Sequence, residues 1–334
     1  MAKIVLLLVV VTLISGLTPI AARLATHELP PLTLAVARFG TAGCLLAATV
    51  RIMGLRLAPF LGNWTTFLFL GLLCVPVNQV AYLFGLRMAN ASHAGIAYAL
   101  VPVMVFWISL ALGRVRLTGR MVVASTLASL GAIVVVLVTS PSNSQTDKQP
   151  AMGFAGDLLL LTAALSWSCF AIFSQPVVRR FGAIQTLATV FLVGTALHVP
   201  LAILDYFYFD LSEFRFATVT WRGLVGFAFI TFITAYTNYL LWYLVVARFD
   251  VTRSTVVTNM NFLVTVLLES YWFGQALSGW VAAGSAILVT GIVMSVQGRR
   301  AETPPTTPRG ATATDPVQPR DHRPPNPVFD EGRG

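Results

Sequence analysis

The sequence predicts an all-α polytopic membrane protein, with ten transmembrane helices arranged as two inverted five-helix repeats. The first reason is composition: of the 334 residues, 56% are hydrophobic and only 10% are charged, and the mean hydropathy is +0.77. A soluble domain has about 25% charged residues, so the bilayer is the solvent that accommodates these apolar side chains. The second reason is a series of apolar segments of membrane-spanning length. The third is a similarity between the two halves of the chain.

Ten apolar segments match the roughly 20 residues that a helix needs to cross the hydrocarbon core. They are 4–22, 32–50, 64–85, 92–112, 119–138, 153–176, 184–204, 223–246, 253–273 and 279–297. The connections are short, and the longest polar interruption falls in the middle of the hydrophobic body. We therefore expect a first repeat at 1–139, a periplasmic linker at 140–152, a second repeat at 153–298 and a Pro-rich, disordered cytoplasmic tail at 299–334.

Two pairs of motifs connect the halves. "LTGRMVVASTLASLGAIVVV" at 117–136 resembles "LSGWVAAGSAILVTGIVMSV" at 277–296, and "YLFGL" at 82–86 resembles "YLLWY" at 239–243. Because each half holds five segments, an odd number, the second half enters the membrane from the opposite side. Inverted repeats of this kind are typical of secondary transporters, whose binding site lies between the repeats near the midplane.

The basic residues predict the orientation, since cytoplasmic loops carry an excess of Lys and Arg. With a cytoplasmic N-terminus, the inner positions are Lys3, Arg51, Arg56, Arg114, Arg116, Arg120, Arg179, Arg180, Arg248, Arg253, Arg299 and Arg300, and the outer ones only Arg23, Arg87, Lys148, Arg215 and Arg222. Both termini are therefore expected in the cytoplasm. Because the basic residues occur singly between apolar runs, the net charge of +9 indicates topology, and no nucleic-acid partner is expected.

The motifs of several enzyme classes are missing from the sequence. HExxH, GxSxG and GxxxxGK[ST] do not occur, and the three cysteines lie in apolar runs without a CxxC pair. We therefore expect neither an enzyme nor an ATP-driven pump, and neither a metal nor a cofactor. The expected partners are a small-molecule substrate and the lipid bilayer.

Two long stretches resemble EamA-type transporters of the drug/metabolite transporter superfamily. They are "NQVAYLFGLRMANASHAGIAYALVPVMVFWISLALGRVRLTG" at 78–119 and "GDLLLLTAALSWSCFAIFSQ" at 156–175. The resemblance covers about residues 5–297 and implies two inverted EamA repeats that export amino acids or related metabolites across the bacterial inner membrane. Where the family usually has Gly-Glu, this chain has Arg114 and Gln275 after the glycines.

Two other substrate classes are open within the same superfamily. One alternative is broad drug efflux, and the other is transport of a nucleotide sugar or sugar phosphate. A sugar phosphate calls for several basic side chains in the cavity, whereas Arg38 is the only arginine placed deep in a predicted span.

The stretch around Pro102 predicts a bent helix beside a cavity. Pro102 removes a backbone donor and leaves the Tyr98 carbonyl without its helical partner. Such a break is tolerated in a membrane only against protein or a water-filled cavity. Ala91, Gly95 and Ala99, spaced four apart, form a smooth stripe that allows close helix packing.

Polar and aromatic side chains inside the spans are candidates for lining that cavity, because such mixed linings suit small organic ligands. The alternative for each is an interhelical hydrogen bond worth about 0.6–2 kcal/mol. The candidates are Asn78, Gln79, Tyr82, Tyr98, Pro102, Trp167, Ser168, Tyr236, Asn238, Tyr239, Trp242 and Asn261.

Arg38 and Glu269 are the charged candidates inside the spans. At about 1.5 Å per residue, they lie about 10 Å and roughly 6 Å inside the outer face. An arginine at membrane depth costs about 2.5–3.5 kcal/mol on insertion scales, so it is expected to face a partner or water. Two roles are open: a structural ion pair between the two residues, or a cation that binds the carboxylate of a substrate.

Overall fold

The computed structural model is helical in every regular element that it describes. The described residues are 2–88, 97–114, 118–139, 150–208, 219–248, 261, 264 and 279–297. The all-α class is therefore confirmed for this part of the chain. The predicted tail at 299–334, most of the linker at 140–152 and almost all of the segment at 253–273 lie outside the described residues.

We label the helices α1 to α11 in chain order. They are α1 (Ala2–Glu28), α2 (Pro31–Ile52), α3 (Trp64–Leu72), α4 (Asn78–Met88), α5 (Val101–Ala111), α6 (Gly119–Thr139), α7 (Pro150–Phe181), α8 (Ala183–Tyr208), α9 (Trp221–Ala228), α10 (Tyr239–Arg248) and α11 (Gly279–Gln297). Two π-helical segments complete the list, Leu73–Val77 between α3 and α4 and Phe229–Asn238 between α9 and α10.

The described residues contain six helical stretches that are long and apolar enough to cross a membrane. They are Leu6–Thr26, Pro31–Ile52, Leu61–Gly85, Phe154–Phe181, Ala183–Leu204 and Trp221–Val245. Large apolar side chains are exposed on their outer faces, among them Leu6, Phe69, Leu158 and Ile203. A contiguous apolar surface of this extent is unfavourable in water, and it is what lipid tails require.

Helices α3 and α9 begin at equivalent positions of the two halves. An offset of 157 residues places Trp64 on Trp221, and the same offset places Tyr82 on Tyr239. Both tryptophans are exposed at the first residue of their helix. Tryptophan is enriched at the membrane–water interface, so each marks the depth at which its helix enters the bilayer.

The two π segments also coincide at this offset, which places Leu73 on Ile230. In a π segment each turn holds one residue more than in an α-helix, and such segments are frequent at functional sites. The predicted segments 64–85 and 223–246 are therefore not regular α-helices throughout. Pro76 supplies a cause in the first, because it has no N–H to donate. Nothing in the sequence of the second explains its π geometry.

Helices α6 and α11 cross in an antiparallel pair without room for side chains at the crossing. A Cβ atom added to Gly131 would collide with the backbone of Gly284 and Leu288, and one added to Gly291 would collide with the backbone of Ala128. Gly131 of α6 contacts residues that precede Gly291 in α11, and Gly291 contacts a residue that precedes Gly131 in α6. The two helices therefore run in opposite directions. Gly131 and Gly291 are the glycines that the repeat offset of 160 equates, so the contact is reciprocal between equivalent helices.

The chain is interrupted immediately before α5. Residues 97–99 form a helical turn, Leu100 is a turn residue, and α5 begins at Val101. The amide of Leu100 donates to the carbonyl of Ala97 at 3.2 Å, which tightens the turn. Pro102 is thus buried in the first turn of α5, a position where a residue without an N–H is well tolerated. Ala91 and Gly95 of the predicted stripe lie outside the described residues.

Candidate functional site

Aromatic, amide and guanidinium side chains from both halves of the sequence meet in the interior of the bundle. We call this group the Arg38 cluster. It comprises Arg38 and Phe39 of α2, Asn78 and Tyr82 of α4, Tyr98, Trp167 of α7, Phe191 of α8, and Tyr239 and Trp242 of α10.

Arg38 is nearly buried, with 9% of its surface exposed. Its Nε donates a hydrogen bond to the carbonyl of Ile230 at 3.0 Å, and its guanidinium carbon lies 4.9 Å from the centre of the Phe39 ring. The Ile230 carbonyl belongs to the π segment between α9 and α10. Arg38 therefore joins α2 of the first half to a non-α turn of the second half.

Asn78 positions Tyr98. Its side-chain amide donates to the Tyr98 hydroxyl at 3.2 Å and to the Ala163 carbonyl at 2.9 Å, while its own carbonyl accepts from Gln79 at 2.8 Å. The Tyr82 and Tyr98 rings meet edge to face with centroids 5.6 Å apart. These contacts fix the end of the 97–99 turn against α4 and α7.

Aromatic rings form the opposite wall of the cluster. The Tyr239 ring lies 5.4 Å from that of Trp167, 5.2 Å from that of Phe191 and 6.2 Å from that of Phe39, in edge-to-face geometry each time. Trp242 packs against Trp167 at 5.6 Å. Such pairs are each worth about 0.5–1.5 kcal/mol beyond their burial, so this wall is rigid.

The charge of Arg38 is not balanced by a carboxylate within the part of the chain that the structure describes. The ionisable side chains that act on it there are Tyr239, Tyr82, Cys74 and Tyr98, all of which are neutral in an apolar interior. Glu269, the predicted ion-pair partner, lies outside the described residues. The guanidinium is therefore surrounded by hydroxyls and aromatic rings, with one backbone carbonyl as its described hydrogen-bond acceptor.

The equivalent carbonyl in the other half has a neutral donor. Leu73, which the repeat equates with Ile230, accepts a hydrogen bond from the Ser166 hydroxyl at 2.7 Å. In the second half the corresponding donor is Arg38, whose Nε bonds to the Ile230 carbonyl. The two π segments are thus stabilised in the same position, but only one of them by a cation.

Among the remaining predicted site residues, Gln79 contacts the Arg38 cluster through its hydrogen bond to Asn78. The others have their described contacts outside the cluster. The Tyr236 hydroxyl bonds to that of Thr49 at 2.8 Å, and Asn238 donates to Ser15 at 2.9 Å. Ser168 donates to the carbonyl of Ala164 in its own helix at 2.8 Å. The Asn261 carbonyl lies against Gly16, and Pro102 is buried in α5.

Two members of the cluster were not among the sequence candidates. Phe39 directly follows Arg38, and its position beside a deep arginine is a signal that the sequence does contain. Phe191 is one of many apolar residues of α8 and carries no such signal. The backbone acceptors Leu73 and Ile230 have none either, because a carbonyl group is present in every residue.

Comparison with known proteins agrees with this architecture. A model of the EamA-like transporter family matches residues 2–137 and 154–297. Over 300 residues the chain is 24% identical to a probable amino-acid metabolite efflux pump of Salmonella typhimurium, covering 88% of this chain and 95% of that protein. A probable amino-acid metabolite efflux pump of Escherichia coli is 22% identical over the same length with the same coverage. An uncharacterized transporter of Archaeoglobus fulgidus is 23% identical over 287 residues, or 85% of this chain and 95% of that one.

A solved crystal structure has the same fold, with a TM-score of 0.71 and 19% sequence identity, covering 90% of this chain and 99% of the other. The two ranges that match the family model fall on either side of the middle of the chain, and each contributes residues to the Arg38 cluster. The chain belongs to the EamA-like transporter family of multi-pass membrane proteins.

Proposed function

We propose that this protein is a secondary transporter that exports amino acids or related small metabolites across the bacterial inner membrane by alternating access. The observation that carries the proposal is the Arg38 cluster, a polar and aromatic group built from both family repeats in the interior of an apolar bundle. The names of the Salmonella and Escherichia relatives support the substrate class.

The proposal includes ten transmembrane helices in two inverted repeats, with both termini in the cytoplasm. The antiparallel contact of α6 with α11 supports it. Equivalent helices of two repeats that face the same way run parallel, whereas equivalent helices of inverted repeats run in opposite directions. Gly131 and Gly291 meet the opposite helix in the reciprocal arrangement that an in-plane two-fold axis produces.

The chemistry of the cluster favours a small organic substrate. Aromatic walls with a few convergent polar groups are the usual lining of small-molecule sites. Among the described members of the cluster Arg38 is the sole cation, which disfavours a sugar phosphate, whose doubly charged group calls for several.

Transport by the purified full-length chain in liposomes tests the proposal. We expect liposomes loaded with a mixture of unlabelled amino acids to accumulate at least one radiolabelled amino acid by counterflow. Trp167→Ala opens the aromatic wall and should reduce that counterflow at least tenfold. Trp64→Ala, which removes an exposed tryptophan at the start of α3, is the matched control and should retain it.

Deleting residues 301–334 should leave counterflow unchanged. A wild-type protein that folds in the liposome and moves none of the twenty amino acids contradicts the proposed substrate class. Equal counterflow in wild type and Trp167→Ala excludes the cluster as the transport site.

A further inference from the structure

We propose that Arg38 binds the carboxylate of the transported molecule, so that the protein selects small organic acids over the corresponding amides. The inference rests on the proposed function, because it assigns one residue and one chemical group to the transport site. It starts from an unbalanced charge. Arg38 is nearly buried at membrane depth, and its described neighbours supply no carboxylate.

A buried arginine without a counter-ion is unfavourable, and intramembrane charges generally mark substrate paths or pair with another charge. Among the described residues nothing offsets this cost, and a bound carboxylate would do so. The binding free energy of a carboxylate thus contains a part that a neutral isostere cannot obtain. This difference makes Arg38 a determinant of specificity as well as of affinity.

Within the part of the chain that the structure describes, the terminal nitrogens of Arg38 have no recorded acceptor. A guanidinium has five N–H donors in a planar fork. The bond from Nε to the Ile230 carbonyl uses one of them, and it is the hydrogen bond that the described residues provide. With Nε engaged, the edge formed by Nη1 and Nη2 still presents two parallel donors, which can bind a carboxylate in a bidentate manner.

The same bond also holds the fork in place. With Nε fixed on Ile230 and the carbon of the guanidinium 4.9 Å from the Phe39 ring centre, the side chain is restrained at two points. A restrained guanidinium loses little rotamer entropy when a ligand binds. Lysine has no group equivalent to Nε, so it cannot be held in this way while presenting two donors.

The Tyr98 hydroxyl is suited to assist. It accepts a hydrogen bond from Asn78 at 3.2 Å, which leaves its own proton for donation. Tyr98 belongs to the same cluster as Arg38, through Asn78 and Tyr82. A neutral hydroxyl beside a fixed cation complements a carboxylate, because it stabilises the anion without competing for the guanidinium.

Ligand pairs that differ only in the carboxylate test the inference. The twenty common L-amino acids and their amides are titrated against the full-length protein in detergent, with binding followed by tryptophan fluorescence. For wild type we expect at least one acid to bind tenfold or more tightly than its amide. In Arg38→Gln that acid should bind at least tenfold more weakly, while the amide, whose amino group keeps a positive charge, should bind no more weakly than to wild type.

The preference of Arg38→Lys for acids should lie between the preferences of wild type and Arg38→Gln. Lysine retains the positive charge but lacks the planar fork of donors. Arg222→Gln removes an exposed arginine at the start of α9 and is the matched control, with an unchanged preference. The proposal is overturned if no acid binds wild type more tightly than its amide, or if Arg38→Gln weakens both equally.

Glu269 defines the rival role of a permanent ion pair. If Arg38→Gln fails to fold, Glu269→Gln gives the answer. A folded Glu269→Gln protein that keeps the preference for acids supports a carboxylate-binding Arg38. A fall in abundance for both variants, restored by combining Arg38→Glu with Glu269→Arg, overturns it.

The failure of this inference and the failure of the proposed function give different results. Acid-selective binding without counterflow contradicts the transporter proposal alone. Counterflow without acid selectivity contradicts only this inference.

Discussion

Asn78 shows how much structure one amide organises in an apolar interior. It connects α4 to Tyr98 and to the Ala163 carbonyl of α7, and Gln79 completes the group. Interhelical hydrogen bonds inside membranes contribute about 0.6 kcal/mol on average and up to about 1.7 kcal/mol. Asn78 makes two of them, so its effect on stability is measurable although small.

Asn78→Ala should lower the free energy of unfolding by about 1–2 kcal/mol, because both bonds are lost and nothing replaces them. Thermal unfolding of the protein in detergent measures the change. Asn63→Ala is the control, since the Asn63 amide bonds only to the Pro59 carbonyl of an exposed loop. Equal melting temperatures for Asn78→Ala and wild type would show that the buried bonds contribute nothing.

Individual site residues were predictable where polarity inside a span is itself the signal. Asn78, Tyr82, Tyr239 and Trp242 lie in the cluster, as members of the predicted lining. Tyr236 and Asn238 have the same polarity but contact Thr49 and Ser15 instead. The difference depends on which way each side chain points in a π segment, and periodicity of 3.6 residues does not describe that turn.

At the scale of elements, the π segments have the largest consequence for the site. They shift the register of α4 and α10 relative to α3 and α9, and those two helices carry Asn78, Tyr82, Tyr239 and Trp242. An α-helix through the same residues would rotate these side chains by part of a turn. The aromatic wall therefore depends on a backbone feature that hydropathy does not reveal.

Pro102→Ala tests the interruption before α5. The new N–H can bond to the Tyr98 carbonyl and join the 97–99 turn to α5, so we expect normal abundance with a change of at least twofold in the rate of counterflow. Pro176→Ala, at an exposed position inside α7, is the control and should leave the rate unchanged. An unaltered rate in Pro102→Ala would mean that the interruption has no part in transport.

Gly131→Val tests the antiparallel crossing of α6 and α11. The added side chain meets the backbone of Gly284 and Leu288, which cannot move aside as a flexible side chain can. We expect a loss of folded protein of at least fivefold in a membrane fraction. Gly119→Val lies in the same helix with open space around it, and it should accumulate normally. Similar losses in both variants would show that the loss does not come from the crossing with α11.

At the scale of the whole molecule, composition and the apolar segments were sufficient to predict the all-α membrane class. The stretches at 78–119 and 156–175 carried the resemblance to the EamA family, and the match to the EamA-like model confirms that family. Ten helices and their direction are a topological prediction. A reporter that is active only in the cytoplasm should be active when fused after Arg300 and silent when fused within 142–149. The opposite pattern, measured in whole cells with matched expression, contradicts both the orientation and the inverted repeat.

The crossing of α6 and α11 also determines when the protein can become complete during its synthesis. Gly131 and Gly291 are separated by 160 residues of chain. A ribosome that adds about 5–20 residues per second needs roughly 8–32 s to bridge them. During that interval Gly131 has no α11 to pack against. The other helices of the first half can already be inserted into the membrane. The crossing can therefore form only after α11 has been synthesised, well after α6 has left the ribosome.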